Sequence, residues 1–504
     1  MADTRIHFPE NAGTVTDTNK RKGLKKERKQ RSQNGQNATE KPTKQLLADT
    51  VGLALSTSRS SRSITDTGSD GGSEGMGSRF LSIPLSDPMD AYSFSESTYS
   101  FASTSNTLRP SSYETSSETA SRYTSDGSSE DIPNIQNPYS KYSATNRVVS
   151  LSGKASIRDV EILAIKYGLV SHMGLLDPSY SVFVTDDRTG GICFKTLYRV
   201  AVVMGNPLCE PDDIHRLMYE FDQYRRRRRW DMSILGAGEE SVRYFSGIKK
   251  KSTILQFGKE RALNPLTNEV IHETNGKRIV TQCRQLLDPS KGGIKLETYI
   301  PSLQDPDPKL ERDLAAIYDE WRLARNKSGK PQAFITEYDP FLMPNLMTYI
   351  YARGPDGKVN GFAGLRWIGP KGGYHIDPCI AAPGARKGIS DLLLFASMAY
   401  LRQSGVSHLS LGYEPSESLE PITEMSPTIA HLTQRIYRHT FRRLPISGKR
   451  AYFDKFKPDD EQDAPVYLIF PSRIPELRQV VAVAHVANIS IRRLFFGDKR
   501  KTAS

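Results

Sequence analysis

Residues 358–415 constrain this chain more than any other stretch, because their glycines and apolar runs read in order as strand, strand, Gly-rich turn, buried helix and strand. Residues 361–367 and 374–380 are the strands flanking a Gly-Pro-Lys-Gly-Gly turn at 369–373, and residues 382–388 lead into an apolar helix predicted from about Ile389 to Gln403. Gly405 is placed to stop that helix. Gly384 and Gly388 let backbone approach a ligand at the helix N-terminus, where unpaired N–H groups and the macrodipole favour a phosphate or a developing oxyanion. A tight turn with no ligand fits the same residues, since neither a P-loop nor a GxGxxG spacing is present.

The rest of the chain divides by composition. At 504 residues it is too long for one ordinary domain. Its first 148 residues are rich in Ser, Thr, Gly and Asn, with runs such as 56–63 and 68–75, and too poor in apolar residues to offset chain entropy, so disorder is expected. Serines there are candidate phosphorylation sites. The basic run 20–31 suits nucleic acid, anionic lipid or a nuclear address, and equally a solvated charge run.

A net charge of +12 and a pI near 9.3 make a polyanionic partner, a transfer RNA for instance, worth considering. The densest basic cluster of the folded part is Arg225, Arg226, Arg227, Arg228 and Arg229, at the end of a helix beginning near Pro211; residues 249–251 add a second. Either is an RNA contact or an exposed face, and the arginine run also suits a helix C-terminus.

Cys193, Cys209, Cys283 and Cys379 lack CxxC spacing and sit among apolar residues, as reduced core cysteines of an intracellular protein do; no disulfide framework or zinc site is expected. The longest apolar runs fall short of the roughly 20 residues needed to span a bilayer, and the start lacks an apolar signal region. A cytoplasmic protein is expected, with peripheral contact at membranes or lipid droplets. Residues 475–496 repeat apolar side chains at helical spacing (Leu477, Val480, Val481, Ala484, Ala487, Ile491, Leu494, Phe495) beside basic ones, which fits an interfacial amphipathic helix or an ordinary packed terminal helix. His485 on it has no evident partner.

The residues of 358–415 resemble the second half of the C-terminal catalytic domain of bacterial phosphatidylglycerol lysyltransferases, a domain also found in fungal sterol aminoacyltransferases. The family's motif elements stand here as Val359 with Phe362, Ile376-Asp377, Pro383-Gly384, Asp391 and Leu411-Gly412. Its Arg-x-Tyr-x-x-Lys-Phe-x-Pro signature is matched by Arg450, Tyr452, Lys455, Phe456 and Pro458, and upstream elements by Gly205-Asn206-Pro207 and Cys283-Arg284-Gln285. The similarity covers 149–471. Asn206 replaces an Asp of the family and Phe453 a usual Lys.

The resemblance implies an α/β (α+β) chain with a duplicated, GNAT-like acyltransferase fold. The expected parts are a tail (1–148), a first unit (149–300), a proline-rich linker (301–308), a second, catalytic unit (309–472) and a C-terminal helix (473–504). Within the first unit, 180–184 and 191–203 read as a strand pair, with further strands near 232–235 and 252–257; in the second, helices are expected at 309–325 and 429–441, and strands at 346–352 and 466–470.

The activity implied is transesterification, in which an aminoacyl-tRNA ester supplies an activated carbonyl and a lipid hydroxyl attacks it, with no cofactor beyond that co-substrate. Such a site must exclude water, hold an ammonium, stabilise an oxyanion and remove a proton. Asp391, in the first turn of an apolar helix, is the candidate for the ammonium or the acceptor, although a carboxylate there also complements the helix dipole. Lys455 and Arg450 are candidates for the oxyanion or the terminal adenosine's phosphate, on what reads as a strand-turn. Tyr452 is a packing residue or a proton shuttle. Gly384, Arg386, Lys387, Gly388, Asp377, Arg225, Arg226 and Arg227 complete the expected contacts to substrate or aminoacyl-tRNA, and Asp377 with His375 reads as an acid–base pair or merely as alternate residues on one strand face.

No GxSxG elbow supports a Ser-His-Asp hydrolase, and the spacing of Gly384 and Gly388 does not suit an acetyl-coenzyme A loop. A non-catalytic lipid- or RNA-binding scaffold remains the other class. The freestanding fungal members, with a Ser-rich tail and no fused synthetase, imply glycine from glycyl-tRNA passed to the 3-hydroxyl of ergosterol (an ergosteryl-glycine synthase); another amino acid, or phosphatidylglycerol as acceptor, is the alternative.

Overall fold

The computed structural model describes residues 45–58, 147–153, 157–247, 251–327, 338–419, 422–423, 425–441 and 446–489. The basic run 20–31, most of the Ser-rich tail, Lys249 and Lys250, and residues 490–504 lie outside them. The elements are α1 (Leu47–Ser58), β1 (Val148–Ser150), α2 (Ile157–Tyr167), β2 (Ser181–Val184), β3 (Gly191–Leu197), β4 (Val200–Met204), α3 (Ile214–Arg227), β5 (Asp231–Ala237), α4 (Glu239–Gly247), β6 (Thr253–Leu263), α5 (Lys277–Leu287), β7 (Lys295–Tyr299), α6 (Pro308–Lys327), β8 (Met347–Arg353), β9 (Val359–Ile368), β10 (Gly373–Ala381), α7 (Ile389–Gln403), β11 (Leu409–Pro415), α8 (Pro427–Phe441), α9 (Ile446–Asp454), β12 (Ala464–Phe470) and α10 (Leu477–Val486).

The strands form one sheet in the order β1-β2-β3-β4-β5-β12-β6-β11-β10-β9-β8-β7. Two parallel crossovers are built into it: β4 pairs with β5 around α3, and β10 with β11 around α7, each after an antiparallel hairpin. β7, which the sequence reading puts at the end of the first unit, pairs with β8, and β12 from the end of the second unit lies between β5 and β6.

α7 forms as expected, with the expected limits. It is apolar on every side, and Leu392 through Leu401 are all buried. Sheet residues such as Ile350, Ala363 and Leu365 cover one side, α5 another through Ile279, Val280 and Cys283, and α1 a third through Ala48, Val51 and Leu55. α1 corrects the expectation of disorder for its part of the tail. Its Ala48, Val51 and Leu55 recur at 3 and 4 residues and make one apolar stripe, and Asp49 pairs with Arg402 of α7.

Two other expectations change. The strand expected over 191–203 is a hairpin, because Tyr198 and Arg199 take positive φ (50° and 59°) and turn the chain between β3 and β4. The Arg450–Lys455 segment is not a strand-turn but α9 and its C-terminal turn, with Phe456 fully buried beneath Tyr452. At the C-terminus, the helix is described over Leu477–Val486, and Ile491, Leu494 and Phe495 lie outside the described residues.

Candidate functional site

After His375 and Ser410, the parallel strands β10 and β11 part: their register is recorded only for Tyr374 with Leu409 and His375 with Ser410. Both strands are irregular at this point, β10 between Ile376 and Cys379 and β11 between Ser410 and Gly412. Gly412 takes φ +85°, which a side chain would strain, and a Cβ there would lie 3.2 Å from His375 Cε1 and 3.7 Å from Lys449 Nζ. Beside this point β11, β6 and α9 line a cleft with Arg261, Gly412, Tyr413, Glu414, Pro415, Lys449, Arg450 and Phe453, of about 230 Å³ with its open mouth included.

α9 spans this cleft and the start of α7. Towards β11, Arg450 Nε lies 3.4 Å from Glu414, a carboxylate also held by Arg261 at 2.9 Å, and its guanidinium lies 3.8 Å from Glu417. Arg261 is itself buried and faces Asp454, Asp460 and Asp463 as well, so its charge is over-compensated rather than bare. Towards α7, Lys455 Nζ lies 3.4 Å from Asp391 Oδ1 and 4.5 Å from the Tyr452 ring centroid. The buried Tyr452 hydroxyl faces Asp391 without a well-aligned hydrogen bond, and burial pushes its pKa up.

Beneath α9 the polar groups form a continuous layer. The Cys379 thiol, raised by burial, has Asp391 and Asp377 near it; the Cys283 thiol beside Asp391 is pushed up to about 12 by burial. Desolvation raises the Asp377 carboxyl against the opposing pull of Lys449 and Arg366. Lys449 is exposed as a residue, but its Nζ turns inward between Asp377 and Glu414, and desolvation lowers its pKa.

His375 is 3% exposed, and its Nδ1 lies 3.2 Å from the Ser410 carbonyl. A carbonyl only accepts, so Nδ1 carries the hydrogen and Nε2 a lone pair; Nε2 has no hydrogen-bond partner among the described residues. Burial, with Arg366 and Lys449 nearby, holds the imidazole neutral, its pKa well below the usual value. His375 and Asp377 thus share a layer with Lys449, and His375 bonds the backbone of β11 rather than Asp377. Tyr338 donates to the Asp377 carbonyl at 2.9 Å. His375 and Lys449 are the functional candidates that motif matching undervalued; the Gly beside them on β11 was the available signal.

The remaining expected residues fall elsewhere. Gly388 caps α7 with φ +97°, but the space its missing side chain leaves is taken by Gln282, whose amide donates to the Lys387 carbonyl at 3.2 Å; the close approach there is made by α5 and not by open ligand space. Arg386 donates to the Lys291 carbonyl at 2.6 Å, while Gly384, at φ +79°, meets nothing within 4 Å. Arg225 and Arg226 both hold Asp222 on their own helix, Arg225 also donates to the Trp230 carbonyl, and neither these nor Arg227 lines the cleft. Asn206, standing for an Asp, accepts from the Gly238 amide and Ser241 hydroxyl at 2.8 Å each, a structural task.

The family described as phosphatidylglycerol lysyltransferase, C-terminal, matches residues 167–470. Among solved structures, a C-terminal domain of a protein described as a lysylphosphatidylglycerol synthetase of Agrobacterium fabrum is 17% identical, with a TM-score of 0.51 over 67% of this chain and 98% of that one. The L-PGS structure from Bacillus licheniformis is also 17% identical, with a TM-score of 0.50 over 66% of this chain and 97% of that one. No curated protein matches the chain. The two structures share the fold, a mixed α/β arrangement, and the match over 167–470 supports a tRNA-dependent lipid aminoacyltransferase. The chain belongs to the phosphatidylglycerol lysyltransferase C-terminal family.

Proposed function

We propose that this protein moves glycine from glycyl-tRNA to the 3-hydroxyl of ergosterol, with the cleft beside β11 and the mouth of α7 as its site. The observation that carries the reading is α9: one short helix and its turn bring Arg450 to Glu414 on β11 and Lys455 to Asp391 on α7. These are the residues whose spacing matches the family signature.

The acceptor oxygen attacks the ester carbonyl, its proton passes to a base, the tetrahedral intermediate collapses, and the proton goes to the ribose oxygen that leaves. Nothing is oxidised or reduced. The neutral His375, buried behind Gly412 of the cleft wall with its Nε2 lone pair unpartnered, suits the base. Asp391 suits the ammonium of the incoming aminoacyl group: its pair with Lys455 is long and the Lys455 end is half-exposed, so one ammonium can replace another at small cost. Lys455, freed from that pair, and Arg450 suit the oxyanion or the terminal phosphate. Tyr452 closes the apolar side, its buried hydroxyl facing Asp391.

One feature favours glycine over lysine: the cleft is small. Tyr413, Pro415 and Phe453 give the cleft an apolar wall against which part of an apolar acceptor can rest.

The test is transfer by the purified chain from radiolabelled glycyl-, aspartyl- and lysyl-tRNA to ergosterol and to phosphatidylglycerol, with RNase-treated controls. RNase-sensitive label on ergosterol from glycyl-tRNA is expected. Label on phosphatidylglycerol alone would replace the acceptor, and no labelled lipid from any combination would reject the reading.

A further inference from the structure

We propose that the outer face of α10, together with the tip of the β3–β4 hairpin, is a docking surface for an anionic lipid bilayer. α10 is fixed by its inner face: Ala482, Val483 and Val486 are buried, and the buried Gln479 amide donates to the Met232 carbonyl at 2.9 Å. The helix therefore cannot roll to hide its other side. On that side Leu477 is 79% and Val480 44% exposed, and Ile474 in the turn before the helix is 55% exposed. Leu477 and Val480, three residues apart on the helix, share one exposed face, and Ile474 adds a third large exposed apolar side chain just ahead of it, whereas single exposed apolar residues elsewhere need no explanation.

The hairpin tip extends this face. Tyr198, 53% exposed, packs edge-on against His485 of α10 with ring centroids 5.3 Å apart, its hydroxyl 3.3 Å from His485 Nδ1. Its backbone is held at positive φ, so the ring is presented by a turn of fixed shape.

Charge selects the occupant. Arg199 beside Tyr198 and Arg473 beside Ile474 are exposed, and Arg478 offsets the nearest acids, lying 2.6 Å from Asp231 and 2.9 Å from Glu476. The chain then continues through residues 490–504, with five basic residues against one acidic and with Leu494, Phe495 and Phe496 among them. Aliphatic and aromatic side chains fringed by arginine are the composition of an interfacial lipid contact, and the basic fringe favours anionic headgroups. A chain that modifies a membrane lipid has to meet a bilayer surface, and a face of this kind serves that contact. In that respect the inference rests on the function proposed above.

Flotation of the full chain with vesicles tests it without aminoacyl-tRNA. The chain is expected to float with phosphatidylcholine vesicles containing about 30% phosphatidylserine and far less with phosphatidylcholine alone. Leu477→Asp with Val480→Asp should lower that partition at least about ten-fold at an unchanged thermal midpoint, and Ile474→Asp, outside the helix, should lower it in the same direction. Failure of the wild type to float with anionic vesicles, or flotation of both variants as well as the wild type, overturns the proposal; the latter outcome would assign binding to residues 490–504 or to a protein-facing role for this face. Transfer to detergent-dispersed lipid, unchanged in the variants, separates docking from catalysis. Wild-type chain that floats but transfers nothing would sink the function and leave the docking surface standing.

Discussion

The two parallel crossovers of the sheet are built alike and end differently. Each leaves a hairpin, passes through a helix and returns to a strand that carries a Leu-Gly pair with the glycine at positive φ, Leu235-Gly236 in β5 and Leu411-Gly412 in β11. In the first crossover β4 and β5 stay paired from Val200 with Asp231 to Met204 with Leu235, and the helix between them, α3, keeps one face in water. In the second, pairing stops after two positions and α7 is enclosed on all sides. The buried histidines differ in the same way. His172, beside the first crossover, has both nitrogens bonded, Nδ1 accepting from the Leu169 amide and Nε2 donating to the Asn206 carbonyl, whereas His375 keeps an orphan lone pair. One copy of the motif has been spent on structure and the other left open for chemistry.

The largest expected difference between the copies is catalytic. Asp391→Ala should reduce lipid aminoacylation about 100-fold or more, while Asp222→Ala on α3 should leave it within about two-fold, as measured by initial rates. Equal losses would break the comparison. Enclosure comes next: Leu55→Ala, which opens a cavity between α1 and α7, should cost about 2–4 kcal/mol in denaturant unfolding, and Tyr219→Ala on the exposed face of α3 under about 0.5 kcal/mol.

The histidines give a pH test. Burial holds His172 to a pKa of about 4, below the 6.5 of the unfolded chain, so between those values the unfolded state binds the extra proton. Its contribution is therefore complete above pH 6.5 and lost as pH falls towards 4, roughly 3 kcal/mol in all, with His375 acting in the same direction. His172→Gln should flatten the fall of the thermal midpoint with acid and leave kcat near wild type; His375→Gln should lower kcat with a smaller change in midpoint. Smallest is Gly412→Ala, expected to lower kcat about ten-fold through crowding of His375 and strain at φ +85°, against a change confined to stability for Gly236→Ala.

Much of the second crossover was legible from residues alone, because α7 is apolar throughout and bracketed by glycines, a pattern that burial on every side demands. α1 was not, since its stripe of Ala48, Val51 and Leu55 occupies a few turns inside a long polar tail, and composition averaged over that tail hides it. α9 was misread because its basic residues drew attention, when the spacing of Tyr452, Phe453 and Phe456 is helical. The role of Gly388 was misjudged for a different reason: a glycine announces that something comes close, and only the fold shows that here it is Gln282. The kinship of Leu235-Gly236 with Leu411-Gly412 was on the page and needed only a search for internal repetition.

β12, the last strand in the chain, sits between β5 and β6 near the middle of the sheet. A ribosome must therefore release residues up to Phe470 before either half can finish its hydrogen-bonded ladder, and until then two long strand borders stay unpaired in the growing polypeptide. The halves cannot be separated into independent pieces by a cut at the proline-rich linker. A fragment ending near residue 300 should aggregate when expressed alone and be rescued by co-expression of the remainder; a well-folded monomeric fragment would show that the late strand is an ornament of the sheet and not its keystone.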